Sequence, residues 1–278
     1  MTHPAFGRPA AVVWVLFEPA RARNSVNLIS RVGCSMPIEK VVVVWNGEGP
    51  VPSYSSELRV GNALVEVIKG SNRGREFGGY QDGLDHLRES AAGGVCFVND
   101  TAGVHNYLPR FFVSAFVRAA LRLRNRRGVC VGHVDRALQT LEIGGLVGES
   151  WIRSNLFYLD EPALRSLDWK VYAPEINALV PGAFPQHFFS DALNPSMQVR
   201  ISRWLFQPGS KSWYAAAPLT NENADFMAGK ARAVLQEYYL SMRLSHAGIQ
   251  ISRTDMTALQ LFWLKLINGI GRELGILK

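Results

Sequence analysis

Two periodicities alternate along the first half of the chain. AVVWVLF at 11–17 and KVVVVWN at 40–46 are compact β-branched runs closed by turn residues, the pattern of strands buried on both faces. ALVEVIK at 63–69 and GVCFVND at 94–100 repeat that character, and GVCVGHV at 128–134 predicts a fifth strand. Between them, ARARNSVNLISRVG, REFGGYQDGLDHLRES and residues 109–127 place apolar side chains at helical spacing. This alternation predicts an α/β fold: a mixed, mainly parallel sheet flanked by helices and joined by right-handed crossovers.

Beyond residue 135 the pattern loosens. WIRSNLFYLD at 151–160 predicts a strand and EPALRSLDW a short helix, while 174–218 is rich in Pro, aromatic and small residues. ADFMAGKARAVLQEYYLSMRLSHAG predicts a long helix stopped by Gly248, and TDMTALQLFWLKLINGIGREL a second helix with a large apolar face. The expected organisation is a ligand-binding α/β region over 1–170 and a helical C-terminal region over 171–278, forming one continuous compact unit. The sequence shows no internal repeat and no low-complexity linker.

Composition narrows the class. With 278 residues, 47% of them hydrophobic, the chain can bury a large core. Cys34, Cys96 and Cys130 are far apart and lack C-x-x-C spacing, which argues against a disulfide framework or zinc site and for free thiols in a reducing cytoplasm. The first 22 residues, with only Arg8 before a short apolar run, predict a first strand rather than a signal peptide. No apolar run approaches the roughly 20 residues that span a bilayer. The expected location is cytoplasmic, with peripheral attachment to the inner face of the membrane compatible.

The formal net charge is +7. Five arginines crowd Arg118 to Arg127 on an amphipathic helix. A solvated basic face and contact with an anionic membrane surface, through 108–127 or 256–276, both fit. No zinc finger or RNA-recognition signature supports nucleic acid as a partner.

In a parallel sheet, ligands collect beyond the carboxyl ends of the strands. Here those ends are Phe17-Glu18, Trp45-Asn46, Ser71-Asn72 and Asn99-Asp100. Trp45 can stack on a base, and Asn46 can hydrogen-bond its edge or a ribose. Asn72 and Gly74 suit a turn with unusual backbone angles. Arg73 or Arg75 can reach a diphosphate with forked donors. Gly78 and Gly79, costly inside a helix, predict a close approach to sheet or ligand, and Asp82 follows one turn later. Asp100 can share Mg²⁺ or Mn²⁺ with diphosphate oxygens, with Asn99 where a D-x-D pair would have its first carboxylate.

The ordered set VVVVWNG, SNRGREFGGYQDGL, VCFVNDT and SWIRSNLFYLD resembles bacterial glycosyltransferases of the rhamnan synthesis protein F type. Asn72, Gly74, Arg75, Phe77 and Gly78 match that family's N-x-G-R-D-F-G-like loop, with Glu76 for Asp. Asn99 and Asp100 match its N-D-S strand end, with Thr101 for Ser. Arg153-Ser154-Asn155-Leu156-Phe157 follows its later strand without the His and Gln. Glu237 to Ser241, followed by Gly248, is similar to the family's late E-x-x-L-S helix.

The resemblance implies a GT-A-like, Rossmann-type fold, a nucleotide-sugar donor, and a glycan or lipid-linked glycan acceptor in cell-surface polysaccharide synthesis. It implies donor binding by the strand-end residues with Asn72, Arg75, Gly78, Gly79 and Asp82, acceptor contact by Ser154 and Asn155, and a divalent cation on Asp100. An inverting transfer needs a carboxylate base. Glu237 leads Asp191, Glu149 and Asp225 for that role. Two other classes stay open: a sugar-phosphate nucleotidyltransferase, although FEPARARNS after the first strand lacks the expected glycines, and a non-catalytic glycan-binding protein.

Overall fold

The computed structural model describes residues 10–51, 60–88, 93–104, 107–123, 128–182, 184–209, 213 and 215–273. Residues 1–9, including Arg8, the arginines at 124, 126 and 127, and residues 274–278 lie outside them.

The described β-branched runs become strands. β1 (Ala10–Leu16), β2 (Ile38–Trp45), β3 (Leu64–Lys69) and β4 (Val95–Asn99) are mutually parallel. Helix α1 (Ala22–Gly33) connects β1 to β2, and α2 (Arg75–Leu87) connects β3 to β4. After α3 (Arg110–Leu123) the chain departs from the expected pattern. The fifth strand does not end near 134: β5 (Val129–Ile143) turns at Gly144-Gly145 and returns as β6 (Leu146–Leu159), antiparallel to both β5 and β4. Both glycines have left-handed backbones, φ 57° and 78°, as a tight hairpin turn requires.

After β6 come α4 (Glu161–Ser166), α5 (Pro195–Leu205), the long α6 (Ala224–His246), β7 (Gln250–Arg253) and α7 (Ala258–Glu273). Helix α5 lies inside the stretch expected to be irregular. Its start is set by Asn194, whose side chain accepts from the Ser196 N–H, and by Pro195 at the first helical position. Strand β7 has four residues, too few for a period to show, and pairs in parallel with β5.

Among the described residues, seven strands run in the order β3-β2-β1-β4-β6-β5-β7, a mixed, mainly parallel sheet flanked by helices. One face packs on α1, α3 and α7 through Trp14, Val43, Val98 and Phe116. The other packs on α2, α4 and α6 through Val13, Val44, Tyr80 and Phe157. A third apolar cluster joins the outer hairpin to α5 and α6 through Trp151, Met197 and Tyr238.

Candidate active site

Order reverses where β1 lies between β2 and β4, so the crevice beyond the carboxyl ends of β1 and β4 is the topological switch point. Asp100 closes it. Its backbone N–H donates to Val15 O at 3.0 Å, and its Oδ2 accepts from the Phe17 and Glu18 N–H groups, each at 2.9 Å. The carboxylate is fully buried, and desolvation pushes its pKa up against the lowering pull of those two donors. Its Oδ1 has no hydrogen-bond partner, with Arg21 Nη1 3.9 Å away. Arg21 sits in the 3₁₀ turn after β1 and also pairs with Glu18 at 2.6 Å. Sequence reasoning missed Arg21, because only folding brings the turn after β1 against the end of β4.

The loop before α2 has the strain its composition predicts. Asn72, Gly74 and Arg75 have φ of 54°, 72° and 53°. Asp82 holds this loop, its Oδ2 accepting from the Ser71 N–H at 2.7 Å. The two helix glycines answer different neighbours. A Cβ on Gly78 would fall 1.3 Å from the Arg73 carbonyl oxygen, so the loop folds back onto the helix there. One on Gly79 would fall 2.8 Å from Asn46 Nδ2 and from Val15, so there the helix approaches the sheet. Arg75 turns toward α6: its Nη2 donates to Phe226 O at 3.4 Å, and its guanidinium lies 5.4 Å from the Phe226 ring centre.

Several strand-end residues are absorbed into the scaffold. Trp45 is 3% exposed, its indole N–H donates to Gly49 O at 3.4 Å, and Lys69 lies 5.7 Å from its ring centre. Asn46 is buried, donating from Nδ2 to Arg75 O at 3.2 Å. Asn99 Oδ1 accepts from both the N–H and the hydroxyl of Thr101, a local turn that orders the exit from β4. A cleft of about 400 Å³ opens outside α2, lined by Ser71, Arg73, Gln81, Asp82, Trp169 and Tyr172; Asp100, Arg75 and Glu237 are not on its wall.

A second polar group forms where β6 runs past the end of β4. Strand pairing between them stops at Val98 and Leu156, which leaves the β4-facing edge of residues 152–154 to other partners. Helix α6 supplies two of them, one turn apart. Glu237 Oε2 accepts from the Ser154 N–H at 2.7 Å, and Ser241 Oγ accepts from the Ile152 N–H at 3.0 Å. From α2, the Tyr80 hydroxyl donates to Ser154 O at 2.6 Å, and Glu76 Oε1 lies 3.5 Å from Ser154 Oγ. Asn155 is half-buried beside it.

Glu237 has the electrostatics of a proton acceptor. Burial pushes its carboxyl up to about 7, against the lowering pull of the Ser154 donors, Lys230 and Arg153. Burial first, then the charge of Glu76, holds the Tyr80 phenol well above its ordinary value. The other candidate bases, Glu149, Asp191 and Asp225, are exposed. Glu76 was missed as a site residue because it was weighed only as a departure from a motif.

No protein-family model matches the chain, and no curated protein matches it. Among solved structures it is similar to a mannosyltransferase from Pyrobaculum calidifontis in complex with GDP-Man and Mn²⁺: 14% identity over 95% of this chain and 81% of that one, TM-score 0.39. A 4-diphosphocytidyl-2C-methyl-D-erythritol synthase is 13% identical over 61% of this chain and 84% of that one, TM-score 0.38. The Francisella tularensis 2-C-methyl-D-erythritol 4-phosphate cytidylyltransferase is 11% identical over 58% and 77%, TM-score 0.32. At this distance such likeness carries no chemistry with it.

Proposed function

We propose that the chain is a glycosyltransferase that moves a sugar, a hexose by resemblance, from a nucleotide-diphosphate donor to a glycan or lipid-linked glycan acceptor in cell-surface polysaccharide synthesis. The observation that carries this reading is the placement of Glu237, a half-buried carboxyl held at about 7 beside Ser154, on the same sheet edge as the Asp100-closed switch point. A base with that pKa is matched to deprotonating an acceptor hydroxyl near neutral pH.

In this reading the donor diphosphate lies at the exits of β1 and β4, within reach of Arg21 and the loop at 71–74. Asp100 suits a Mg²⁺ or Mn²⁺ ion in one respect: Oδ1 accepts no hydrogen bond and meets Arg21 at 3.9 Å, and such ions often take one or two carboxylates with phosphate oxygens and water. No cluster of three or more His, Cys, Asp or Glu side chains occurs among the described residues, so an ion on Asp100 would take at most one further such side chain, with phosphate oxygens and water completing its shell. An ion held by Asp100 would supply charge neutralisation for the departing diphosphate. Glu237 takes the acceptor proton, Ser154 fixes the carboxylate through its N–H, and Glu76 faces the Ser154 hydroxyl. Against nucleotidyl transfer stands the turn after β1, where Pro19–Arg21 passes directly into α1 without a glycine.

A thermal-shift screen of nucleoside diphosphates with and without Mn²⁺ tests the donor half, and sugar transfer from the stabilising donor to glycan acceptors tests the reaction. Stabilisation by a nucleoside diphosphate is expected. No stabilisation by any of them removes the support for a donor site.

A further inference from the structure

The proposed chemistry leaves the outer surface of α7 without a role. Leu259, Phe262, Trp263, Leu266 and Ile270 are all exposed, from 38% to 65%, although each is large and apolar. They recur at three- and four-residue steps, so they form one stripe on the side of the helix away from Leu264, which is buried against the core. Scattered exposed apolar side chains are ordinary on a soluble surface, but a continuous stripe with Phe and Trp at its centre marks a binding face.

The charge around the stripe selects the partner. Helices α1, α3 and α7 cover one face of the sheet, and their sequences contain no acidic residue before Glu273. Arg23 and Arg31 on α1, Arg110, Arg118 and Arg122 on α3, and Lys265 on α7 are exposed. Among the described residues, acids meet this layer at its ends: Glu18 pairs with Arg21 just before α1, and Asp255, in the turn before α7, pairs with Arg122 at 2.7 Å. On the helices of the opposite layer the acids Glu76, Asp82, Asp85, Glu161, Asp225 and Glu237 are nearly balanced by Arg75, Arg165, Lys230, Arg232 and Arg243, so the excess of positive charge belongs to the α1/α3/α7 face. A second copy of the chain would bring the same basic face against this one and be repelled. An anionic bilayer offers both complements: acyl chains for the stripe and lipid phosphates for its basic border.

We propose that the α1/α3/α7 face docks on an anionic lipid bilayer, with Phe262 and Trp263 of α7 entering the interface while the arginines of α1 and α3 meet the headgroups. Strand β7 is parallel to β5, and β5 to β4 through the antiparallel β6, so α7 begins at the sheet edge that holds Asp100. Docking by this helix sets that edge near the membrane surface, where a lipid-linked acceptor would be presented. The docking itself does not depend on transferase activity.

The test is co-flotation of the full chain with vesicles of phosphatidylcholine alone and of phosphatidylcholine with an equal part of phosphatidylglycerol. Flotation with the mixed vesicles only, weakening as salt rises, is expected. The pair Phe262→Ser and Trp263→Ser should lower the bound fraction at least about tenfold. The pair Arg110→Glu and Lys265→Glu should weaken binding by a similar factor and flatten the salt dependence. All four side chains are exposed, so melting temperatures should match wild type. The proposal is overturned if wild type ignores the anionic vesicles or if both pairs float like wild type. It is equally overturned if wild type sediments as a dimer that the aromatic pair converts to monomer, since the stripe would then cover a second copy.

Discussion

The Glu237 carboxylate on α6 accepts the peptide N–H of Ser154 on β6 at 2.7 Å, joining a helix and a strand 83 residues apart in sequence. That bond completes the backbone of β6 where β4 ends, and it fixes the orientation of the carboxylate. One side chain thereby serves structure and, in the proposed chemistry, proton transfer.

The two roles separate by substitution. Glu237→Gln keeps an oxygen for the Ser154 N–H but cannot take a proton, so transfer should fall by about 10²- to 10⁴-fold while the melting temperature stays near wild type. Glu237→Ala leaves the N–H without its partner and should also cost about 1–3 kcal/mol, read by denaturant unfolding. Equal transfer rates in Glu237→Gln and wild type would remove Glu237 from the chemistry.

The raised carboxyl predicts two pH effects of fixed sign. With Glu237 near 7 in the folded chain against an ordinary 4.5, the folded state holds the proton through that interval and the unfolded state does not. Its contribution to stability is therefore full below the ordinary value and is lost as pH rises through the folded one. Wild-type stability relative to Glu237→Gln should fall between about pH 5 and about pH 8. Turnover should rise over the same range as the base ionises, with an acid limb near 7.

Asp100→Ala removes the acceptor shared by the Phe17 and Glu18 N–H groups. The loss should be about 1–3 kcal/mol for each group left unpaired. It should also abolish any Mn²⁺-dependent part of the nucleotide thermal shift. A full Mn²⁺-dependent shift in this variant would place the ion elsewhere.

The adjacent glycines of α2 should differ in tolerance. Gly78→Ala drives a methyl into the backbone carbonyl of Arg73, and no side-chain movement relieves that contact. A loss of about 3 kcal/mol or more is expected. Gly79→Ala meets Asn46 and Val15 side chains at 2.8 Å and should cost about 1–2 kcal/mol. Chemical denaturation of the two variants makes the comparison.

Much of the framework was legible because it is local. Strands buried on both faces must be β-branched runs, and β1 to β4 were found within one or two residues. Asn72 and Gly74 announced a left-handed turn. Gly144-Gly145 carried the hairpin signal equally plainly, yet the break in β-branched character beyond Val134 hid the long arms of β5 and β6. Short β7 has too few residues to show a period. The strand-end rule correctly gathered Phe17, Asn46, Asn72 and Asp100 at one edge. It could not tell that Trp45 and Asn46 point into packed surroundings, because direction depends on what folds over them.

The sequence by itself determined the α/β alternation, the glycine-dependent loop, the carboxylate at the end of β4 and the basic, acid-free character of α1 and α3. All are properties of neighbours in the chain, written by period, composition and turn chemistry. Only the tertiary structure decided that β6 runs antiparallel past β4, that Arg21 faces Asp100, that Glu76 and Glu237 converge on Ser154, and that Arg75 turns toward α6. Those are pairings across long chain separations. They depend on which backbone groups the end of a strand leaves unpaired, and on which distant side chain the packing carries to them.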